Sequence, residues 1–94
     1  MPGISVRIRN TSLEPDAWES ACDDILEFLI SATPVDTGLC ADSWELDYGD
    51  DESVFSNDTE YASYLEDGWS DQAPNGMIKE LLSGPLDDIV SGYR

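Results

Sequence analysis

The sequence contains no histidine and a single lysine, and only Arg7, Arg9, Lys79 and Arg94 carry positive charge among 94 residues. Lack of histidine removes the commonest general base, metal ligand and near-neutral pH switch together. The scarcity of cations argues against nucleic-acid binding, because holding a phosphate backbone requires Lys or Arg to displace condensed counterions. The same reasoning disfavours an anionic membrane surface. No apolar run approaches the ~20 residues of a membrane span, and no basic and apolar leader opens the sequence, so the expectation is a protein that neither spans a membrane nor leaves the cell by that route. Only two cysteines occur, Cys22 and Cys40, in apolar contexts and without metal-ligand or redox spacing, which points to buried free thiols.

Acid is abundant: 21 Asp and Glu give a formal net charge of −17. Self-repulsion of that size weakens a compact state in dilute buffer and is suppressed in molar salt, where the Debye length falls to about 3 Å. The expectation is a halophilic protein, with a mesophilic acidic protein as the plainer alternative. A hydrophobic content of 40%, with three Trp, four Tyr and two Phe, is nevertheless enough for a packed core. The length suits one domain over 1–94, and a domain so small buries only about 60% of its unfolded surface, so assembly with partners is expected to add stability.

The fold class expected is α+β, a small antiparallel sheet packed against a long N-terminal helix, with short C-terminal helices. Ile4, Val6 and Ile8 alternate with Ser5, Arg7 and Arg9 as in a half-buried strand. Pro15 suits a first helical turn, with Asp16 and Glu19 near the positive helix end. Trp18, Ala21, Cys22, Ile25, Leu26, Phe28, Leu29 and Ala32 then form one apolar stripe, and Asp23, Asp24 and Glu27 fall opposite. Pro34 disfavours helical geometry at Thr33, which ends the helix near Ser31 or Ala32.

Within 39–48, Trp44, Leu46 and Tyr48 oppose Ser43, Glu45 and Asp47. A turn at Gly49, Asp50 and Asp51 leads to a returning strand over 53–57 around Val54 and Phe55, so a hairpin is expected. Asn57 or Asp58 should cap a short helix carrying Tyr61, Ala62, Tyr64 and Leu65 and ending at Gly68. Helical turns over 77–82 and 86–90 are interrupted at Gly84 and Pro85.

Short motifs are weak on their own. Asp36-Thr37-Gly38 after Val35 matches the catalytic string of aspartic proteases, in which two carboxylates share a proton. Here it follows a long helix instead of an apolar strand, Leu39 replaces a small residue, and a turn held by Asp36 and Thr37 is the plainer reading. Asp47, Asp50, Asp51 and Glu52 fail as a calcium loop: counted from Asp47, the sixth and twelfth positions hold Glu52 and Asp58. Asn10-Thr11-Ser12 and Asn57-Asp58-Thr59 match a glycosylation pattern too short to carry weight. Trp18 and Trp44 read as core, Trp69 as an intersubunit contact. Ser43 and Ser70 have no base to make them nucleophiles. The expectation is therefore no enzyme, no cofactor and no metal.

An ordered series is more specific. Thr33-Pro34-Val35-Asp36-Thr37-Gly38, Leu39 and Ser43-Trp44, Asn57, Tyr61-Ala62, Tyr64-Leu65-Glu66, Gly68-Trp69-Ser70, Gln72-Ala73-Pro74 and Gly76-Met77 together resemble the neck or tail-completion (tail-terminator) proteins of lambdoid and related tailed phages. The resemblance spans the central half of the chain. It implies a virion protein, made in the host cytoplasm, that forms a ring, hexameric or dodecameric, between portal or head-completion proteins and the tail tube. Leu39-Cys40-Ala41-Asp42 departs from relatives that carry arginine soon after the Thr-Gly. Together with the acidity, that departure suggests a virus of a haloarchaeal host.

Ordered loops on a rigid scaffold commonly carry binding. The candidate contacts are thus Asp36, Thr37, Gly38 and Leu39 in one loop and Trp69, Ser70, Gln72 and Pro74 in another. The rival readings are a retroviral-type aspartic protease built on Asp36-Thr37-Gly38 and an acidic DNA mimic that captures a basic protein.

Overall fold

The computed structural model describes residues 3–33, 43–59, 66 and 76–94. Strand β1 is Ile4–Arg9, helix α1 is Pro15–Ala32, strands β2 and β3 are Trp44–Asp47 and Glu52–Asn57, and two short helices follow, α2 at Ile78–Leu82 and α3 at Pro85–Ser91. The fold is α+β, with a three-stranded antiparallel sheet in the order β1-β3-β2.

The connection from β1 to α1 is built by Asn10. Its Oδ1 accepts from the backbone N–H of Ser12 and Leu13, and its Nδ2 donates to the Leu13 carbonyl at 2.9 Å. A side chain that satisfies the backbone of a turn in this way is the usual service of asparagine outside helices. Pro15 takes the first helical position, where a missing N–H costs nothing, and Trp18 N–H reaches the Glu14 carbonyl at 2.8 Å. The helix stops where Pro34 requires: Thr33 is extended and its N–H bonds back to Ile30.

Helix α1 buries Trp18, Ala21, Cys22, Ile25 and Leu29, the middle of the apolar stripe. They cover the inner face of the sheet. In register, Val6 and Leu46 flank Phe55 from either side, and Phe55 is fully buried. Met77 and Leu81 bring α2 into the same cluster, which Leu86, Ile89 and Val90 of α3 extend at its margin. Burying side chains of this size stabilises the fold by about 1.5–3 kcal/mol each.

Two details differ from the pattern in the sequence. Tyr48 lies beyond the end of β2 and is 37% exposed, because the chain turns at Gly49 and carries the third alternating residue past the strand. Val54 is on the outer face of β3, and the inward positions beside Phe55 are the polar Ser53 and Asn57, both fully buried. Period-two geometry demands this once Phe55 points inward. The short helix expected around Tyr61, Ala62, Tyr64 and Leu65 lies outside the described residues, as does Cys40; Glu66 is helical.

Ser53 is accommodated by a small polar network. Its Oγ accepts from the Cys22 thiol at 3.3 Å and from Gly49 N–H at 3.2 Å, and can donate to the Gly49 carbonyl at 3.4 Å. Trp18 Nε1 donates to that same carbonyl at 2.7 Å. The hairpin turn is thereby fastened to α1. Gly49 itself admits no side chain, since a Cβ there would stand 2.3 Å from the Glu52 carbonyl oxygen.

Candidate functional site

The eight candidate contact residues, Asp36, Thr37, Gly38 and Leu39 and then Trp69, Ser70, Gln72 and Pro74, lie outside the described residues. What the structure does describe is where those two segments leave the scaffold and return to it. Their feet meet in one buried junction.

The first segment departs from Thr33, at the end of α1, and returns just before Trp44, the first residue of β2. Trp44 Nε1 donates to Thr33 Oγ1 at 2.9 Å, and the hydroxyl passes its own proton to the Leu29 carbonyl at 2.8 Å. Both partners are buried, at 7% and 3% exposure, so the bond closes the base of 34–42 where water cannot substitute for it.

The second segment leaves from Glu66 and returns through Gly76. The Glu66 carboxylate accepts three backbone N–H groups, from Met77 and Ile78 on Oε1 and from Lys79 on Oε2, each at 2.8 Å. Those N–H groups are the ones that α2 leaves without intrahelical partners, and a carboxylate there also meets the positive end of the helix. The cap is supplied from far back in the chain; no residue local to α2 provides a side-chain cap.

Gly76 makes the close approach workable. Its φ is +79°, a left-handed conformation costly for other residues, and a Cβ there would lie 2.5 Å from the Glu66 carbonyl oxygen and 2.9 Å from its carboxyl group. Met77 then links the two feet, because its Sδ lies 3.1 Å from Thr33 Oγ1 and its side chain is fully buried. Asn57 prepares the departure toward Glu66: it is buried, and its Oδ1 accepts from Thr59 N–H at 3.0 Å and Thr59 Oγ1 at 2.6 Å.

Chemically, the junction anchors; it holds no reactive pair. Among the described residues no three His, Cys, Asp or Glu side chains are placed to hold a metal ion. Burial pushes the Cys22 thiol above its ordinary value; the Ser53 hydrogen bond works against that shift, and Asp23 and Glu19 add to it. A protonated thiol enclosed this way is a poor nucleophile. The Asp36-Thr37-Gly38 string begins four positions after the end of α1 at Ala32 and lies outside the described residues.

Elsewhere, a groove of about 230 Å³ opens between the end of β1 and the C-terminal helices, lined by Ile8, Arg9, Trp18, Leu82, Leu86 and Arg94 among others. It shares no described residue with the junction. No helix among the described residues is long and apolar enough to cross a membrane.

Sequence reasoning placed Trp44 in the core correctly but missed Glu66 as a cap, because nothing local to 77–79 signals a partner eleven residues upstream. No family model matches the chain, and neither a curated protein nor a solved structure is significantly similar to it.

Proposed function

We propose that this chain is a structural neck or tail-completion protein of a tailed virus, and that copies of it form the ring joining the head connector to the tail tube. The observation that carries the reading is the junction. Thr33, Trp44, Glu66, Gly76 and Met77 belong to the series that resembles the phage proteins, and they lie far apart in sequence. In space they hold one another, with a hydrogen bond from Trp44 to Thr33, a carboxylate on three N–H groups, and beside it a glycine whose φ and close approach to Glu66 disfavour any side chain.

Residues so interdependent form a scaffold that anchors the ends of two segments. One segment carries Asp36, Thr37, Gly38 and Leu39, the other Trp69, Ser70, Gln72 and Pro74. These are the surfaces proposed to meet neighbouring copies and the portal, adaptor or tail tube proteins. An acidic ring lumen would repel a passing genome and let it slide without adhesion. The charge of −17 supports a haloarchaeal host, where molar salt would screen self-repulsion.

The test is direct. Purified virions should contain the polypeptide, and labelled antibody should decorate the head-tail junction in micrographs. Absence from particles, or peptide cleavage that an Asp36→Asn variant loses, would overturn the reading in favour of a protease.

A further inference from the structure

The outer face of the sheet is the side turned away from α1, and its two edges carry opposite charge. On edge strand β1 it presents Ser5, Arg7 and Arg9; on edge strand β2 it presents Glu45 and Asp47. Half of the four cations in the molecule therefore stand on a single strand. The central strand only partly neutralises them. Arg7 Nε meets the Glu52 carboxylate at 3.2 Å, and Glu52 is the register partner of Arg9 with no ion pair between those two, so the central strand pairs only one of the two guanidinium groups. Among the described residues neither Glu45 nor Asp47 has an ion-pair partner.

Strand directions add a second condition. Both β1 and β2 run antiparallel to β3, so they run parallel to each other at opposite edges. An edge strand offers a row of unpaired N–H and C=O groups to any strand that can lie beside it. Repeating the sheet sideways sets β2 of one copy against β1 of the next in parallel. Charged outer side chains then share one face, and the apolar Trp44 and Leu46 meet Ile4, Val6 and Ile8 on the other. Ile4, Val6 and Leu46 are only partly buried in the single chain, which leaves apolar surface for a neighbour to cover.

We propose that copies of this chain join head to tail through these edges, β2 of one beside β1 of the next, with Glu45 and Asp47 facing the neighbour's Arg7 and Arg9. The proposal rests on the ring reading above and specifies how the ring closes. Charge also excludes the alternatives. A β1 edge against another β1 edge would oppose guanidinium to guanidinium, and β2 against β2 would oppose carboxylate to carboxylate, arrangements that like charges across a strand pair disfavour. Only the heterologous contact remains, and that is the kind of contact that generates rings.

The experiment measures solution mass by sedimentation velocity at one fixed salt concentration for four samples: the unaltered chain, R7E/R9E, E45R/D47R, and an equal mixture of the two variants. The expected result is assembly of the unaltered chain, loss of the assembled species in each variant alone, and its return in the mixture at equal stoichiometry, since each variant's altered edge then matches the other's. The fourfold exchange R7E/R9E/E45R/D47R should assemble unaided, and circular dichroism of every variant identifies any loss that is merely unfolding. Variants that assemble singly as the unaltered chain does, or a mixture and a fourfold exchange that stay monomeric while the unaltered chain assembles, would overturn the edge pairing and leave the ring reading standing. An unaltered chain that is monomeric at every concentration overturns both.

Discussion

Trp44 Nε1 and Thr33 Oγ1 lie 2.9 Å apart, joining the first residue of β2 to the last turn of α1 across the base of the 34–42 segment. Removing the hydroxyl while keeping the shape isolates that bond. Thr33→Val strands a buried indole N–H and should cost about 1–3 kcal/mol. Urea unfolding followed by tryptophan fluorescence reads the change, and a midpoint equal to that of the unaltered protein would contradict the assignment.

Glu66 holds three N–H groups at the start of α2. Glu66→Ala should destabilise by about 2 kcal/mol, the scale of losing a strong helix cap together with its charge. Gly76→Ala places a methyl group against the Glu66 backbone in a left-handed conformation and should cost about 1–3 kcal/mol. Because both substitutions damage the same contact, the double variant should lose less than the sum of the two, which a double-mutant cycle measures.

The thiol of Cys22 is fully buried and bonded to Ser53. In a Cys40→Ser background, a thiol reagent should modify Cys22 only as fast as the protein opens, and promptly once it is denatured. Rapid modification of the folded protein would refute the enclosure.

Alkaline pH should weaken the fold in a defined direction. The Cys22 thiol is raised above its ordinary value near 9.0, chiefly by burial, and the Tyr93 phenol above its ordinary value near 10.0, chiefly because it donates to the Asp24 carboxylate. A group with a raised folded-state value keeps its proton after the unfolded chain has lost it. Its contribution is complete below the unfolded value and disappears as pH climbs through the folded one. Stability should therefore fall from about pH 9 upward, and Tyr93→Phe should flatten the upper part of that decline. Denaturant midpoints across pH 8–11 provide the check.

Salt should act oppositely. With 21 acidic residues against four basic ones, melting temperature should climb steeply from dilute buffer into molar KCl as repulsion is screened. A melting temperature indifferent to KCl would remove the proposal of a haloarchaeal host and leave the fold untouched.

Much of the scaffold was legible in the residues. Pro15 and Pro34 bracket α1, the three-and-four spacing from Trp18 to Leu29 marks its buried face, and alternation identifies β1 and β2. The hairpin followed from Gly49 and the acidic turn. Other features were not legible, for physical reasons. Ser53 looks like a solvent-facing residue because its partners, Cys22 and Gly49, are fixed only by the fold. The pairing of β1 with β3 depends on a chain reversal through α1 that no local pattern encodes. Glu66 acts on an element that begins a dozen positions later. For Asp36, Thr37, Gly38, Leu39, Trp69, Ser70, Gln72 and Pro74, the sequence names the loops, and the structure describes their anchorage.

The bonds radiating from Ser53 also guard against mis-threading of the hairpin. Sliding β3 by one position would turn Val54 inward and carry Phe55 into water, a change that hydrophobicity alone already resists. It would in addition orphan the thiol of Cys22 and the amide of Gly49 in a single step. A neighbour that grips this sheet by its rims would thus find every copy presenting its side chains at identical heights, a precondition for any assembly that must close on itself without accumulating error.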